Sequence, residues 1–483
     1  MKISPEILNQ RNNVPKVSYI QPQAEAKEPS RELMRAEALR AKGELDEAMR
    51  VCVQYMNDHF DDVHALVMAA HIMIDAERPG LAQPLMKLAS ILQPNDSLVW
   101  NNLGLCYQEG ADLEEGEACF IKALHRNPKD AFALNNLAQL YVNTAKPQKA
   151  IHCATRAIEL DPSMPDARYN LGLAHLQMGN WKEGWEGYEY NLGAHRKRKE
   201  RIYGHIPRWT GVRDTTLIAY GEQGLGDEIS FASCLPDLIR ENKVIVECDS
   251  RLEGLFRRSF ACPVYGTRFD AGIDWPMKYE IEASVAFGSL PRFYRNTDSD
   301  FPGTPYLKAD PERRIQWRAL LDSLGAKPKV GISWTGGKKN TGMHRRSLDV
   351  RELLPILRQD AVFVSLQYKD CPEIAVIERD HGIKIHHWPH AVQSKDYDDT
   401  AALVAELDLV ITVTQAVVDL AGSLGVPCWV LTPKEPMWRH GLEGDRMPWY
   451  QSVKLYRQTK EWVHPISDIG SDLRRLTLSK ALH

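Results

Sequence analysis

A glycine-containing turn behind a predicted strand carries the residue with the clearest capacity for chemistry. The run GEQGLGDEISF follows the apolar pattern LIAYG at 217–221 and places Asp227 at the start of a predicted helix. The glycines allow a tight turn, and a helix start presents free backbone N–H groups. A carboxylate there could accept a proton from an attacking hydroxyl, or it could cap the helix. The residues alone leave both roles open, and the spacing does not fit the GxGxxG pattern of nicotinamide binding.

A second loop combines glycines with cations and suggests a site for an anion. GISWTGGKKNTGMHRRSL follows another predicted strand and contains Lys338, Lys339, Arg345 and Arg346. Backbone amides together with cations suit a diphosphate, although the GxxxxGK[ST] order of an ATPase loop is missing.

A third candidate is the helix start in ITVTQAVVDLAGSLGVP. Thr414 ends a predicted strand, and the helix begins at about Gln415. A phosphate could bind at this N-terminus, with both side chains as further donors. A capped helix without a ligand is the alternative, and two such anion sites in one half of the protein favour the ligand.

Acids and histidines outside these loops are less informative. In DYDDTAALVAELD, Asp398 or Asp399 could bind a ribose hydroxyl or cap a helix, and capping is favoured. The run HHWPH, with His386, His387 and His390, lacks a cysteine or carboxylate at the spacing of a helical metal site. We therefore predict neither a metal ion nor another cofactor.

The elements that precede these loops repeat at one fixed interval along the chain. Pro94, Pro128 and Pro162 are evenly spaced, and the chain aligns without gaps when it is cut at 29, 63, 97, 131 and 165. The eighth position of each cut is small, where two helices would cross closely. These residues are Ala36, Ala70, Gly104, Ala138 and Gly172. The pattern is typical of tetratricopeptide repeats, helix pairs that stack into a superhelix, and we predict five of them within 29–195.

Asparagines recur on the first helix of the central repeats, which would line the concave face of the superhelix. They are Asn101, Asn102, Asn135, Asn136 and Asn170. Their amides could hold the extended backbone of a peptide, because repeat grooves are common binding surfaces. Hydrogen bonds within the solenoid are the alternative, and the residues leave both interpretations open.

After Thr215 the pattern changes to short apolar runs separated by helical stretches. The runs are LIAYG (217–221), KVIVEC (243–248), KVGISW (329–334), AVFVSLQ (361–367), LDLVITV (407–413) and PCWVLT (427–432). They predict parallel sheets with helices between the strands. A break near 300–328 divides them into two Rossmann-like halves, 212–310 and 325–465, with a ligand cleft between the carboxyl ends of their strands.

Three further segments complete the predicted organisation. Residues 1–28 contain several prolines and little apolar periodicity, which predicts a flexible leader. Residues 196–211 are predicted to form a basic, solvated linker between the repeats and the first half. Residues 466–483 are predicted to form a C-terminal helix or tail.

The composition limits the class of protein. The 483 residues are 43% hydrophobic and 26% charged, and a formal net charge of -4 removes the overall basic field of a general nucleic-acid binder. No apolar run is long enough to span a bilayer, and the start of the sequence lacks the apolar stretch of a secretory signal. Nine scattered cysteines without CxxC spacing indicate neither a disulfide framework nor a zinc site. We therefore predict a cytoplasmic location without a nucleic-acid partner or a membrane span.

Several motifs occur together in the order found in one known family. They are GEQGLGDEISFASCLP, GISWTGG with RRSL, FVSLQY, DYDDTAALVAELDLVITV, VDLAGSLGVPCWVL, and WRHG with PWYQSVKLYRQ. Behind the repeats, they make the chain from about 30 to 465 resemble the bacterial tetratricopeptide-repeat glycosyltransferases whose catalytic part is heptosyltransferase-like. The resemblance implies a GT-B fold of two Rossmann-like domains, with a nucleotide-sugar donor on the second half and no metal ion. It also implies an acceptor facing the turn that contains Glu222, Gln223, Gly224 and Gly226.

The resemblance further assigns roles to individual residues. Asp227 matches the catalytic aspartate of heptosyltransferases, which would deprotonate the acceptor hydroxyl, and Arg346 matches a basic residue directed at the donor diphosphate. The predicted donor-binding set is Lys338, Lys339, Arg346, Gln367, Asp398, Asp399, Thr414, Gln415, Ala416 and Asp419.

One departure from the family concerns the donor side. The family usually has Asp-Thr and a following His, where this chain has Thr414, Gln415 and Asp419. The difference indicates another choice of sugar or nucleotide, which we favour because Asp227 and the basic loop are present. A loss of transfer activity is the alternative.

The overall plan is also similar to that of the O-GlcNAc transferases, in which repeats present a protein to the catalytic cleft. By this analogy the acceptor is a serine or threonine hydroxyl of a protein or peptide bound by the repeats. A surface-glycan or lipid-linked acceptor and a catalytically inactive repeat scaffold are the alternatives. The sequence is also compatible with a homo-oligomer.

Overall fold

The structure is a computed structural model that describes residues 30–193, 198–337, 343–393 and 396–481. The described chain divides between His175 and Leu176 into two compact units. The predicted leader, 1–28, lies outside the described residues, as do Lys338 and Lys339 of the basic loop.

The N-terminal unit consists of antiparallel helix pairs. The helices are α1 (Arg31–Lys42), α2 (Leu45–Met56), α3 (Val63–Asp75), α4 (Pro79–Leu92), α5 (Ser97–Glu109), α6 (Leu113–Arg126), α7 (Ala131–Asn143), α8 (Pro147–Leu160) and α9 (Pro165–Gln177). From α3 onwards the first helix of each pair begins at a constant interval. The second helices do so from α2 onwards, and α10 (Trp181–Tyr188) keeps the same spacing. The predicted tetratricopeptide-repeat solenoid is therefore confirmed.

The turn inside each repeat has a fixed backbone requirement that recurs at the same period. Gly43, Glu77, Ala111, Ala145 and Gly179 occupy equivalent positions of successive repeats, and all have positive φ angles, between 53° and 84°. Only glycine adopts this left-handed conformation without a steric penalty, so three of the five turns hold a non-glycine residue in a less favourable state. The stacking of the helices on either side of the turn must therefore supply the stability.

Small residues let the helices of a repeat cross closely. Ala36, Ala70 and Ala138 are fully buried, and a Cβ atom added to Gly104 would lie 2.6 Å from the ring of Phe120. Phe120 is itself fully buried in the core between α5 and α7. The predicted small position is thus a steric requirement of helix packing.

The C-terminal unit contains two α/β layers, the first built on a four-stranded parallel sheet. Its strands are β1 (Thr216–Tyr220), β2 (Lys243–Glu247), β3 (Val264–Tyr265) and β4 (Ala283–Ala286), in the order β3-β2-β1-β4. All three strand pairs are parallel. The associated helices are α11 (Leu225–Phe231), α12 (Leu235–Glu241), α13 (Glu253–Ser259) and α14 (Pro291–Tyr294).

The second layer is larger. Its strands are β5 (Lys329–Ser333), β6 (Val362–Ser365), β7 (Ile385–His386), β8 (Leu409–Val413), β9 (Cys428–Thr432), β10 (Arg446–Met447) and β11 (Tyr450–Arg457), in the order β10-β11-β9-β8-β5-β6-β7. Only β10 runs antiparallel to its neighbour. The helices are α15 (Pro311–Asp322), α16 (Leu354–Leu357), α17 (Glu373–His381), α18 (Pro389–Val392), α19 (Tyr397–Ala405), α20 (Ala416–Leu424) and α21 (Val463–Ala481). The prediction of parallel α/β sheets is confirmed.

The strand orders define where a ligand would meet these sheets. The order reverses between β1 and β4 in the first sheet and between β5 and β8 in the second. Open parallel sheets bind ligands outside the carboxyl ends of the strands at such reversals. The turns after β1, β5 and β8 lead into the Asp227, Arg346 and Thr414 segments that the sequence singled out.

Helix α10 lies close to the predicted end of the repeats at residue 195. It keeps the spacing of the repeats, but it packs in the C-terminal unit. The indole N–H of Trp185 donates to the carbonyl of Arg295 at 2.6 Å, and that of Trp181 donates to Asp298 at 2.7 Å. Burial of two tryptophans against this unit outweighs the local repeat pattern.

Within the described residues, no helix combines the length and apolar character needed to cross a membrane.

Replacing Gly104 with Ala tests the close helix crossing. We expect the Gly104→Ala substitution to destabilise the solenoid by about 1–3 kcal/mol, because the added methyl group overlaps the buried Phe120 ring. Amide hydrogen exchange in α5 and α6 would report the change. Gly80→Ala is the matched control, since a Cβ atom there meets nothing within 4 Å and alanine favours the helix. Equal protection in the two variants would contradict the packing argument.

Candidate functional site

The turn after β1 is held by buried ionic and polar contacts. Glu222 accepts from Arg198 Nε at 3.0 Å and from the Gly288 N–H at 3.1 Å. Gln223 Oε1 accepts from the Tyr188 hydroxyl at 2.8 Å. Burial raises the pKa of Glu222, and the adjacent Arg198 opposes that shift. Two residues of the predicted acceptor-side turn therefore fix its backbone.

Asp227 lies in the first turn of α11 and contacts groups from both sheets. Its Oδ2 accepts from the backbone N–H of Gly224, the residue before the helix, at 3.2 Å, and its Oδ1 accepts from Arg439. The carboxylate remains 28% exposed, whereas the Arg439 side chain is only 8% exposed. The helix-capping role is present in the structure, and the general-base role stays a prediction.

Gly226 brings α11 against the start of α20. A Cβ atom at Gly226 would lie 2.9 Å from Asp419 Oδ2 and 3.1 Å from the Cα atom of Ala416. Any side chain at this position would therefore separate the two helix starts. The structure thus brings together Asp227, predicted for the acceptor side, and Ala416 and Asp419, predicted for the donor side.

Asp419 is buried beneath this contact. Its Oδ1 lies 3.4 Å from the hydroxyl of Tyr450. Burial raises the pKa of Asp419 to about 7, with Asp227 adding to the shift and Arg439 opposing it. The group therefore titrates near neutrality, unlike an exposed aspartate.

Arg439 is the functional candidate that the sequence did not single out. It lies in the short 3-10 turn Trp438–His440 after β9, pairs with Asp227, and interacts electrostatically with Asp419. Its guanidinium carbon lies 5.1 Å from the ring centre of Trp438 and 5.7 Å from that of Phe231. We call Asp227, Arg439 and Asp419 the junction cluster. The motif WRHG contained the signal, but only the fold reveals its partners.

A second cation lies at the start of α20. Arg346 Nη1 lies 3.4 Å from the carbonyl oxygen of Thr414 and 3.2 Å from the sulfur of Met437. Gly336 permits this approach, since a Cβ atom there would lie 2.8 Å from the same Thr414 oxygen. Burial lowers the pKa of Arg346, and the nearby charge of Arg439 lowers it further.

The start of α20 has no side-chain cap. Gln415 turns towards the sheet, where its amide donates to Ser333 and, at 3.2 Å, to Thr412. The hydroxyl of Thr414 is buried and has no hydrogen-bond partner among the residues that the structure describes. Free N–H groups of a helix start attract anions.

Gln367 organises the neighbouring strand ends. Its amide donates to the Thr335 hydroxyl at 2.6 Å, and its carbonyl accepts from the backbone N–H groups of Trp334 and Thr335 at 3.4 Å. The side chain thus joins the end of β6 to the loop after β5. Its direct role in donor binding stays a prediction.

The two acids in the first turn of α19 have contacts that the sequence did not predict. Arg258 binds both carboxylate oxygens of Asp398, at 2.8 and 2.7 Å, and the indole N–H of Trp317 donates to Asp399 at 2.9 Å. Neither residue caps the helix, because Asp396 does so. Asp398 therefore ties α13 to α19, and a donor-binding role of either acid stays a prediction.

The asparagines of the solenoid bond largely to one another. Asn136 donates to Asn101 Oδ1 at 2.9 Å, and Asn170 donates to Asn135 Oδ1 at 3.0 Å. Asn102 bonds to the buried His71. These contacts correspond to the second of the two interpretations, hydrogen bonding within the solenoid, and peptide binding stays a prediction.

The two units define the class of protein: an α solenoid of tetratricopeptide repeats joined to parallel α/β sheets. The profile of the family "Anaphase-promoting complex, cyclosome, subunit 3" matches residues 93–189. Over 443 residues the chain is 30% identical to Protein FlbA of Caulobacter vibrioides, covering 87% of this chain and 74% of that protein. The chain belongs to the FlbA family.

Solved structures resemble about a third of the chain. The crystal structure of MamA is 21% identical with a TM-score of 0.29, covering 32% of this chain and 91% of that one. The TPR protein TTC0263 of Thermus thermophilus is 20% identical with a TM-score of 0.30, covering 32% and 86%. Scores of this size carry no argument about function.

The raised pKa of Asp419 predicts a pH-dependent stability of the C-terminal unit. Between about pH 4 and pH 7 the folded protein binds a proton at Asp419 that the unfolded chain releases, so this contribution to stability falls as the pH rises. The free energy of unfolding of the wild type should fall between pH 5 and pH 8, and we expect Asp419→Asn to reduce that fall by about 2–3 kcal/mol. Urea unfolding followed by tryptophan fluorescence reports on the C-terminal unit, because Trp100 is the one tryptophan that precedes Leu176 in the sequence.

Asp472→Asn provides the control for this measurement. Asp472 accepts hydrogen bonds from Tyr456 and Lys454, and the bond from Tyr456 is the main cause of its lowered pKa. Because Asp472 is ionised in both the folded and the unfolded chain above pH 5, its substitution lowers the free energy of unfolding by a constant amount there. This variant should keep the wild-type slope. An unchanged slope in Asp419→Asn would show that Asp419 does not titrate in this range.

Proposed function

We propose that the protein is a metal-independent glycosyltransferase that moves a sugar from a nucleotide-sugar donor to a protein hydroxyl. The observation that carries the proposal is the contact of Gly226, the residue before Asp227, with the start of α20. A carboxylate from the first sheet thereby lies beside an uncapped helix start of the second sheet. A general base and an anion site are the two parts that such a transfer needs.

The two sheets support a GT-B arrangement as part of this proposal. Each is a parallel α/β layer, and each contributes the turn at its strand-order reversal to the junction. The turn after β1 would face the acceptor, and the turns after β5 and β8 would hold the donor. This division follows the rule that ligands bind at such reversals.

The proposed reaction is a direct displacement at the anomeric carbon. The acceptor oxygen forms a bond to that carbon while the bond to the leaving phosphate oxygen breaks. The acceptor proton passes to Asp227, whose carboxylate retains acceptor sites beyond its two hydrogen bonds. Negative charge accumulates on the leaving nucleotide, which Arg346 and the N–H groups of α20 would stabilise.

The repeats supply the acceptor side of the proposal. Tetratricopeptide repeats form scaffolds that bind protein segments, and this chain carries four complete helix pairs before the unit boundary. We therefore propose a serine or threonine of a protein as the acceptor. A surface-glycan or lipid-linked acceptor and an inactive protein-binding scaffold are the competing functions.

Nucleotide release tests transfer and the role of Asp227 together. The protein would be incubated with ADP-, UDP-, GDP- and CMP-sugars, with and without host-cell protein extract. We expect stimulated release from at least one donor and a loss of at least about 100-fold in Asp227→Asn, because the amide cannot accept the proton.

Asp300→Asn is the matched control. Asp300 likewise lies in a first helical turn and accepts from the backbone N–H of the preceding cap residue, Thr297, at 2.8 Å. Its other backbone partner is the Asn296 N–H, and no hydrogen bond among the described residues joins it to the junction cluster. Release should be unchanged in this variant. No release from any donor by the folded wild-type protein would favour the scaffold function, and full activity of Asp227→Asn would remove Asp227 as the base.

A truncation at the observed unit boundary tests the protein acceptor. A chain that begins at Leu176 keeps α10 and its two tryptophan contacts, unlike a deletion at residue 195. We expect it to hydrolyse the donor slowly but to transfer no labelled sugar to extract protein. Circular dichroism would verify its fold. Equal protein labelling by the full and shortened chains would contradict an acceptor role of the repeats.

A further inference from the structure

Arg439 interacts with two carboxylates and lies against two aromatic rings. Its guanidinium has five N–H groups, yet the described residues show one hydrogen bond, to Asp227. Asp419 interacts with the same charge from the start of α20. The stacked rings of Trp438 and Phe231 limit where the side chain can move.

The surroundings of Arg439 contain a concentration of positive charge. The charge of Arg439 lowers the pKa of Arg346, and Asp227 opposes that shift. Burial lowers the pKa of His440 to about 3, and Arg439, Arg457 and Arg346 add to the shift. Neighbouring buried cations are unfavourable unless an anion joins them.

We propose that Arg439 is a positioning residue shared between Asp227 and the donor diphosphate. In the structure it pairs with Asp227. A bound diphosphate competes for the guanidinium and leaves the carboxylate available to the acceptor hydroxyl. This inference rests on the proposed transferase function. It adds that the donor must bind first, because Asp227 is released from Arg439 only in the donor complex.

The geometry allows this exchange without displacing Asp227. The Gly224 N–H still holds the carboxylate when Arg439 turns away, because it binds the other oxygen. The arginine fork suits a diphosphate as well as a carboxylate, and the diphosphate carries the larger charge.

Competition for one cation makes a specific prediction about binding. Removing the charge of Asp227 should tighten nucleotide binding, but only when Arg439 is present. Calorimetry with ADP, UDP, GDP, CDP and inorganic pyrophosphate would compare wild type, Asp227→Asn, Arg439→Gln and the double variant. We expect Asp227→Asn to tighten the best ligand about 3- to 10-fold and Arg439→Gln to weaken it about 10-fold or more.

The double variant separates competition from simple repulsion. If Asp227 merely repels the ligand, Asp227→Asn will tighten binding to the same extent when Arg439 is already replaced, and the proposal is overturned. Competition predicts a change of less than about 2-fold in that background. Arg439→Lys, which keeps the charge, should restore part of the coupling, and a buried residue of purely structural importance would not produce that pattern.

The design also distinguishes this inference from the proposed function. Binding of none of the five ligands, together with no nucleotide release from any sugar, overturns both. Binding and release without tightening in Asp227→Asn overturn the shared role of Arg439 and leave the transferase. Asp300→Asn should bind as wild type does, which excludes a general effect of losing a capping carboxylate.

Discussion

The start of α11 lies against the start of α20 because residue 226 has no side chain. With a Cβ atom only 2.9 Å from Asp419 and 3.1 Å from the backbone of α20, the two helices would have to separate. This one contact joins the turn that follows β1 to the turn that follows β8. The positions of Asp227, Arg439 and Asp419 relative to each other all depend on it.

Aromatic side chains pack around the residues that carry the junction cluster. Trp185 of α10 lies edge-on to Trp438, and Trp438 and Trp449 both contact Phe231 of α11. Helix α10 keeps the spacing of the repeats, yet its tryptophans pack in the C-terminal unit. The last helix of the repeat pattern is therefore a structural part of the candidate site.

The parts of the fold that depend on local sequence were predictable. The repeats have a period short enough to read directly, and in the central strands β5 and β8 all five residues are buried, with mainly apolar side chains. Strands β3, β7 and β10 contain two residues each and have no pattern to detect. The long strand β11 reads as YQSVKLYR, in which polar residues interrupt the apolar ones.

Residues of the candidate site were predictable only where a single short segment contains both the functional side chain and the turn that positions it. Asp227 and Thr414 each follow a strand in an identifiable turn. The partner of Asp398 is Arg258, 140 residues earlier, and that of Asp227 is Arg439, 212 residues later. Pairings over such distances follow from the arrangement of the two sheets, which local patterns do not specify.

The buried charges at the junction are difficult to explain by folding alone. Desolvation offsets most of the attraction in a buried ion pair, and apolar side chains of similar size would hold two helices together at least as well. Here two arginines, a helix start without a side-chain cap and a buried threonine hydroxyl share one end of the second sheet. Asp227 already pairs with one of these arginines, so an anion that binds here would share that arginine with the carboxylate. This grouping of cations and hydrogen-bond donors supports our proposal that the donor phosphate, rather than the acceptor, binds at this end of the sheet.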